Sequence, residues 1–141
     1  METGKLLTKS GESTFETLKD ASVVAYYFSA HWCPPCRRFT PVLADLYKKW
    51  NANDKKIEVV FVSFDNDKSQ FEEYFGEMPW TALPFGDDRI QKLGDKFGVE
   101  GIPSLCIVSK DGKETCLSDN GREDVQLKGE KAIEEWQKLY A

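Results

Sequence analysis

Two continuous apolar segments separated by an amphipathic helix constrain the fold more than any other feature of the sequence. Residues 22–29 and 57–64 are rich in β-branched and aromatic side chains and show no regular polar alternation. Runs of this length are typical of strands buried on both faces, as in a parallel sheet covered by helices. Between Pro34 and Trp50, apolar residues recur at helical spacing at Phe39, Val42, Leu43, Leu46, Tyr47 and Trp50. The order strand, helix, strand predicts a right-handed βαβ unit.

Shorter elements complete the sheet. Lys110-Asp111-Gly112-Lys113 is a hairpin turn signal between two short segments that we predict to be strands, over 104–109 and 114–118. Gly98 follows a short amphipathic segment and predicts the end of a helix. The predicted elements after residue 64 are helices over 69–75 and 88–97, a loop over 78–85, strands over 104–109 and 114–118, and a closing helix over 128–140. This order predicts an α/β fold with one central mixed sheet flanked by helices on both faces.

Size and charge exclude several classes of protein. A chain of 141 residues has the size of one domain, so we predict a single domain over residues 1–141. The net charge of −5 argues against nucleic acid and against an anionic membrane as partners. We see no apolar run that resembles a secretion signal or a membrane span. We therefore predict a cytoplasmic protein, with the nucleus as the alternative location, and we expect it to be a monomer.

The chemistry of the chain is concentrated in Cys33-Pro34-Pro35-Cys36, which follows the first buried segment and opens the helix. Unpaired N–H groups and the positive end of the helix dipole favour a thiolate at Cys33, which is the nucleophile of disulfide exchange. Cys36 lies one turn further and should resolve the mixed disulfide. The two prolines stiffen the turn at a position where a missing N–H costs little. This pattern predicts a redox dithiol that needs no metal and no other cofactor.

Two other interpretations of this cysteine pair are a structural disulfide and half of a zinc site. In a reducing compartment a close pair is more often catalytic or metal-binding than structural. A zinc site needs four convergent ligands, and Cys106 and Cys116 are too far apart in sequence to form a second pair of the same kind. On the predicted hairpin, a two-residue turn would place these cysteines on opposite faces, and a three-residue turn would place them opposite each other. We expect two free thiols, with Cys106 in the core.

The dipeptide Ile102-Pro103 immediately precedes a predicted strand. Proline cannot donate to a sheet ladder, and an X-Pro bond at such a place is a candidate cis peptide. Free backbone groups beside the cysteines could then hold a substrate chain through strand-like hydrogen bonds. The alternative is an ordinary trans proline at the entry to a strand.

Several side chains near these motifs have two interpretations each. Trp32 either covers the sulfurs and contacts substrate or packs against the protein. Arg37 either helps to stabilise a thiolate or is solvated, and His31 either tunes Cys33 or is a surface histidine. Trp80 and Phe85 either pack beside the site or contact a partner.

Three motifs together resemble the tryparedoxin/nucleoredoxin branch of the thioredoxin superfamily, in an order and spacing that match over residues 6–136. They are Trp32-Cys33-Pro34-Pro35-Cys36-Arg37, Pro79-Trp80-Thr81-Ala82-Leu83-Pro84-Phe85 and Gly101-Ile102-Pro103-Ser104-Leu105. The resemblance implies a thioredoxin fold, with Cys33 as the attacking thiol, Cys36 as the resolving thiol and Pro103 as a cis-proline.

The resemblance also implies partners and an activity. Tryparedoxins take electrons from the dithiol trypanothione and pass them to peroxiredoxin-type peroxidases, whereas nucleoredoxins bind signalling proteins in a redox-dependent way. The chain is thus expected to be a thiol–disulfide oxidoreductase that reduces protein disulfides. The alternative is a redox-regulated protein-binding module that uses residues 78–85 as its surface. The electron donor stays open between trypanothione, glutathione and thioredoxin reductase.

The sequence departs from the family pattern at two positions. Ser104 follows the proline, where the family usually has Thr. Tyr27 takes the place of the buried Asp of typical thioredoxins, so the proton acceptor for Cys36 must be another group or water. Glu73 matches an acidic position of tryparedoxins and is either this acceptor or a solvated carboxylate. Arg122 matches an arginine of the family to which we assign no firm role.

Overall fold

The fold is taken from a computed structural model that describes residues 5–8, 11–14, 21–53, 56–109 and 115–140. Within these ranges one mixed sheet contains seven strands in the order β2-β1-β5-β4-β3-β6-β7. The strands are β1 (Lys5–Thr8), β2 (Gly11–Thr14), β3 (Val23–Ser29), β4 (Ile57–Ser63), β5 (Thr81–Ala82), β6 (Ser104–Val108) and β7 (Cys116–Ser118). The turn predicted over residues 110–113 lies outside the described residues.

Five α-helices accompany the sheet in the described part of the chain. They are α1 (Pro34–Trp50), α2 (Lys68–Phe75), α3 (Asp88–Lys96), α4 (Gly121–Lys128) and α5 (Ala132–Lys138), with a short 3-10 turn at Gly129–Lys131. Gly98, with φ of 61°, follows the end of α3 as predicted. Each of these helices is too short or too polar to cross a bilayer.

The side chains of β3 alternate between two apolar layers, and every residue of this strand is buried. Val23, Ala25 and Tyr27 face a layer that contains side chains of α1, α2, α4 and α5. Tyr26 and Phe28 face a second layer that contains Leu93 of α3. Helices therefore cover both faces of the sheet, as the sequence predicts.

The pairing of β3 places the two predicted motifs at one edge of the sheet. β3 runs parallel to β4 and antiparallel to β6, with Phe28 opposite Ser104. The carboxyl end of β3 and the amino end of β6 therefore lie side by side. Because α1 starts just after β3 ends, the cysteine turn meets the proline that precedes β6.

Four elements were not predicted from the sequence. β1 and β2 form an antiparallel hairpin that extends the sheet through β5. β5 itself lies inside the segment predicted as a loop, and it is only two residues long. α4 precedes the closing helix, which is shorter than predicted, and α4 and α5 are separated by the 3-10 turn. Each missed element is short, so periodicity had few positions from which to detect it.

Gly121 allows α4 to approach β6 closely. A Cβ atom at this position would lie 2.6 Å from the Leu105 carbonyl oxygen and 2.8 Å from the Leu105 Cγ. Because backbone cannot move aside cheaply, we expect Gly121→Ala to lower the free energy of unfolding by about 1–3 kcal/mol. Urea denaturation would measure this loss.

Gly94 provides a matched control within helix α3. Its added Cβ would meet only the Phe64 ring, at an ordinary 3.6 Å. Gly94→Ala should therefore raise the free energy of unfolding, by roughly 0.5–1 kcal/mol, because alanine is the better helix former. A rise in the free energy of unfolding for Gly121→Ala, as for Gly94→Ala, would contradict the close packing of α4 on β6.

Candidate active site

Cys33 is the N-cap residue of α1, in an extended conformation with φ of −101° and ψ of 107°. Pro34 and Pro35 follow as the first helical residues. The Cys33 N–H donates to the carbonyl of Ala30 at 3.2 Å, and the Cys33 carbonyl accepts from the N–H of Arg37 at 3.1 Å. These bonds fix the turn so that the first thiol lies at the positive end of the helix.

The cis-proline loop lies against the first thiol. The peptide bond between Ile102 and Pro103 is cis, as predicted. The Cys33 thiol makes no capping hydrogen bond and instead lies 3.8 Å from the Ile102 carbonyl oxygen, to which it donates. Pro103 is buried, and Ser104 begins β6 directly after it. The two sequence motifs therefore form one site.

The second thiol lies deeper than the first. Cys36 is fully buried, whereas Cys33 keeps 5% of its surface exposed. Both pack in a small apolar cluster with Ala30, bordered by Phe64 and Ile102. Of the two sulfurs, Cys33 is thus the one that an approaching disulfide can reach.

Burial is the main influence on the resolving thiol. Burial, and after it the neighbouring Cys33 thiol, raise the pKa of Cys36 to about 11. The polar hydrogens of the nearby Ser29 hydroxyl and Ala30 backbone oppose this shift, because they favour the Cys36 thiolate. Cys36 is therefore protonated at neutral pH while the two thiols face each other.

A chain of buried hydroxyl groups runs behind Cys36. The Ser29 and Tyr74 hydroxyls lie 2.7 Å apart, and Tyr74 and Thr40 lie 2.6 Å apart. The Tyr27 hydroxyl lies 2.6 Å from Thr40, whose hydroxyl also donates to the Cys36 carbonyl at 3.0 Å. Burial raises the pKa of both tyrosines, so they remain neutral hydroxyls. We call Ser29, Tyr74, Thr40 and Tyr27 the hydroxyl chain.

Asp65 holds the segment that precedes the cysteine turn. One carboxylate oxygen accepts from the backbone N–H of His31 at 2.6 Å, and the other accepts from the Ser63 hydroxyl at 2.6 Å. The His31 ring lies 5.6 Å from the ring of Tyr74. His31 is therefore half-buried, with its backbone bonded to Asp65 and its ring beside Tyr74, and it is not a freely solvated surface residue.

Trp32 presents an exposed aromatic surface beside Cys33. Its indole N–H donates to the Phe64 carbonyl at 2.9 Å, which fixes the ring at the end of β4. The residue nevertheless keeps 48% of its surface exposed, a high value for tryptophan. The position is compatible with the predicted contact to substrate.

Comparison with known proteins identifies the family. A family model described as "Thioredoxin-like" matches residues 20–114. Tryparedoxin of Trypanosoma brucei brucei is 51% identical over 108 residues, which are 75% of this chain and 73% of that protein. The chain belongs to the thioredoxin-like family.

Further relatives support the same branch of this oxidoreductase family. Nucleoredoxin of Danio rerio is 44% identical over 110 residues, which are 77% of this thioredoxin-like chain. The chain spans only about a quarter of that nucleoredoxin, 26% of its length. The solved structure of tryparedoxin from Trypanosoma brucei superposes with a TM-score of 0.84 and 43% identity, covering 95% of this chain and 92% of that chain. The resemblance to the tryparedoxin/nucleoredoxin branch and the thioredoxin fold are thereby confirmed.

Trp80 of this thioredoxin-like protein is a core residue. Of the two roles considered for it, packing beside the site and contact with a partner, the structure shows packing. It is 2% exposed, and its ring lies 5.8 Å from that of Tyr27 and 5.6 Å from that of Tyr47. Met78 and Leu83 are also buried. These three side chains point into the core and cannot contact a partner, whereas Pro79, Pro84 and Phe85 of the segment predicted as a binding surface are half-buried.

The remaining predicted positions differ in their exposure. Arg37 and Pro34 are exposed, and Arg122 is half-buried near the start of α4. Glu73 is exposed on α2, while the next residue, Tyr74, points inward to the hydroxyl chain. The role of Glu73 as a proton acceptor stays a prediction. Phe85 is half-buried, with its ring 6.1 Å from that of Phe71.

Cys106 and Cys116 are free thiols, as expected. A register shift places Cys116 opposite Val108 and Ser118 opposite Ile107, so neither predicted turn gives the observed pairing. Both cysteines belong to the layer that contains α3, on the other face of the sheet from the hydroxyl chain. Burial raises the pKa of Cys106 to about 12, which makes it a poor nucleophile.

Four residues at the site were not singled out by the sequence. They are Ser29, Thr40, Asp65 and Tyr74. Ser29 ends a buried apolar run and Thr40 lies on the buried face of α1, so a polar residue at a core position was the available signal. Their partners are far apart in sequence, and the sequence therefore could not show that they meet.

Proposed function

We propose that this thioredoxin-like protein reduces disulfide bonds of other proteins through Cys33 and Cys36. One observation carries the proposal: a thiol with residual exposure lies between an exposed aromatic ring and a cis-proline loop, with a second thiol buried directly behind it. An extended substrate segment could pair with the backbone beside Pro103. Trp32 would then cover the sulfurs.

The reaction has two exchange steps. The Cys33 thiolate attacks one sulfur of the substrate disulfide, forming a mixed disulfide and releasing the other sulfur as a thiolate that takes up a proton. Cys36 then attacks the Cys33 sulfur, which closes the Cys33–Cys36 disulfide and releases the second substrate thiol. Two electrons pass to the substrate, and an external reductant must restore the dithiol.

The partners follow from this cycle. The reductant is a small dithiol or thiol, such as trypanothione or glutathione, or thioredoxin reductase. The protein passes the electrons to disulfides of other proteins. For a member of this branch, the disulfides of peroxiredoxin-type peroxidases are the natural candidates. The cysteine pair itself is the only redox group that the cycle requires, and a reducing compartment such as the cytoplasm would keep it supplied with electrons.

Insulin reduction tests the proposal directly. With dithiothreitol as reductant, the wild-type protein should accelerate insulin precipitation well above the rate with dithiothreitol alone. Cys33→Ser should return the rate to that background, because the attacking sulfur is lost. A folded wild-type protein with no catalysis would instead favour redox-regulated binding as the function, with the exposed face around Trp32 as the surface to examine.

A further inference from the structure

Helix α1 carries a charge opposite to that of the chain as a whole. Its charged side chains are Arg37, Arg38, Asp45, Lys48 and Lys49, which give the helix a net charge of +3 on a chain whose net charge is −5. All five residues are exposed. Within the described part of the chain, none of the four cations forms an ion pair. The positive charge of α1 is therefore available to a molecule that approaches the helix.

The stability of the helix explains its two lysines but not its two arginines. Cations are favourable in the last turn of a helix, where the backbone dipole is negative, and unfavourable near its start. Lys48 and Lys49 lie in the last turn of α1. Arg37 and Arg38 lie near the start, four and five residues after Cys33, so they gain nothing from the dipole.

The arginines lie close enough to the attacking thiol to act on its substrate. The Arg37 N–H donates to the Cys33 carbonyl at 3.1 Å. At 1.5 Å per residue, Arg37 and Arg38 lie about 6 and 7.5 Å beyond Cys33 along the helix axis. Helical side chains are directed towards the start of their helix, which brings the guanidinium groups nearer to the thiol.

Salt screening restricts the effect to these two cations. Exposed charges act over about 8 Å at physiological ionic strength, which includes Arg37 and Arg38. Lys48 and Lys49 lie about 23 Å from Cys33 along the same axis and fall far outside that range. The part of the helix charge that a substrate on Cys33 meets is therefore the arginine pair.

The acidic residues around the site leave this charge on the α1 side in place. Asp45 lies two turns beyond Arg38. The two carboxylate oxygens of Asp65 accept hydrogen bonds from the His31 N–H and the Ser63 hydroxyl within the protein. Glu100 is exposed, but it belongs to the loop that precedes Pro103. A substrate on Cys33 therefore meets two positive charges along α1 and one negative charge at the cis-proline loop.

We propose that Arg37 and Arg38 are specificity-determining residues that favour disulfides flanked by acidic side chains. This inference rests on the proposed function, because it names the class of protein disulfide that Cys33 attacks. A guanidinium group is always charged and binds a carboxylate through paired N–H donors. The preferred substrate is an acidic protein segment with its carboxylates on the α1 side of the disulfide. The two exchange steps are unchanged, and the arginines make and break no bond in them.

Three matched peptides test the charge preference. Each contains two cysteines joined in one disulfide, with glutamate, glutamine or lysine beside both cysteines. With uncharged dithiothreitol as reductant, chromatography gives the kcat/KM for reduction of each peptide by the protein. We expect the glutamate peptide to be reduced roughly three- to tenfold faster than the glutamine peptide, and the lysine peptide more slowly than either. In about 1 M NaCl, where charges act over only about 3 Å, the difference should disappear.

Removing charge at each end of α1 assigns the preference to one pair of residues. A variant with Arg37→Gln and Arg38→Gln should reduce the glutamate peptide no faster than the glutamine peptide. A variant with Lys48→Gln and Lys49→Gln loses the same charge from the same helix and should keep the wild-type preference. All four residues are exposed, so both variants should fold. The lysine variant should have the lower thermal midpoint, because it loses cations that favour the end of the helix.

The outcomes separate this inference from the proposed function. Equal reduction of the three peptides by the wild-type protein would refute the charge preference and leave the dithiol cycle intact. A preference that survives in the arginine variant would assign it to other residues and refute the proposal. Equal slowing of all three peptides in that variant would show that the arginines act on Cys33 and not on the substrate, which also refutes it. If the wild-type protein reduces none of the peptides, the proposed function and this inference fail together.

Discussion

Cys36→Ser is expected to stop turnover and to accumulate a mixed disulfide between Cys33 and the substrate. Cys33 keeps its place at the start of α1, so the first exchange should proceed. A serine hydroxyl does not attack disulfides at neutral pH, so the intermediate cannot be resolved. Insulin reduction should fall to the dithiothreitol background, and mass spectrometry without reductant should show a one-to-one covalent adduct with a peptide disulfide.

The matched controls assign the adduct to one sulfur. Cys33→Ser should give no turnover and no adduct, because the buried Cys36 does not reach an external disulfide. Cys116→Ser should turn over like the wild type, because that thiol lies in the layer on the other face of the sheet. An adduct on Cys36 in the Cys33→Ser variant would show that Cys36 is the attacking thiol and Cys33 the resolving thiol.

The local part of this site could be predicted from the sequence because neighbouring residues form it. The buried run, the cysteine turn and the helix follow one another directly, so apolar spacing and the two prolines define β3, Cys33 and α1 together. The cis peptide at Pro103 was also predicted, from a proline that precedes a strand in a chain with a cysteine turn and from the family resemblance. The meeting of Pro103 with Cys33 needed only the antiparallel pairing of β3 with β6.

The hydroxyl chain behind the site could not be predicted, because it depends on how elements that are distant in sequence align in the fold. The Ser29–Tyr74 bond joins residues 45 positions apart, and the Thr40–Tyr74 bond joins residues 34 positions apart. Spacing shows that Tyr74 belongs to the inward face of α2, but it cannot show which oxygen the hydroxyl meets. The exposed Glu73 next to it therefore looked like the better candidate.

The segment around Trp80 was misread for a related reason. Two prolines and a two-residue strand give no usable periodicity, so residues 78–85 resembled a surface loop. Pairing of β5 with β4 draws the segment onto the sheet, with Ala82 opposite Phe61. The side chains of this segment are buried because of that tertiary pairing, and the local sequence pattern cannot show it.

Trp80→Ala is expected to lower the free energy of unfolding by about 3–5 kcal/mol, the usual loss for a large aromatic side chain removed from a core. The ring is 2% exposed and packs edge-on against Tyr27 and Tyr47. Small domains have total stabilities of roughly 5–15 kcal/mol, so a large part of the native stability would be lost. Equilibrium unfolding in urea measures the change, and a lowered midpoint with an unchanged slope would assign it to the native state.

Trp32→Ala is the matched control, because it removes the same side chain from the active-site surface. That ring is 48% exposed and makes one hydrogen bond, to the Phe64 carbonyl, so the loss of stability should be only about 1 kcal/mol. Its effect should appear in insulin reduction, as a higher KM, if the ring covers bound substrate. If Trp32→Ala destabilised the protein as much as Trp80→Ala, the exposed tryptophan would be a structural residue and the substrate surface would have to lie elsewhere around Cys33.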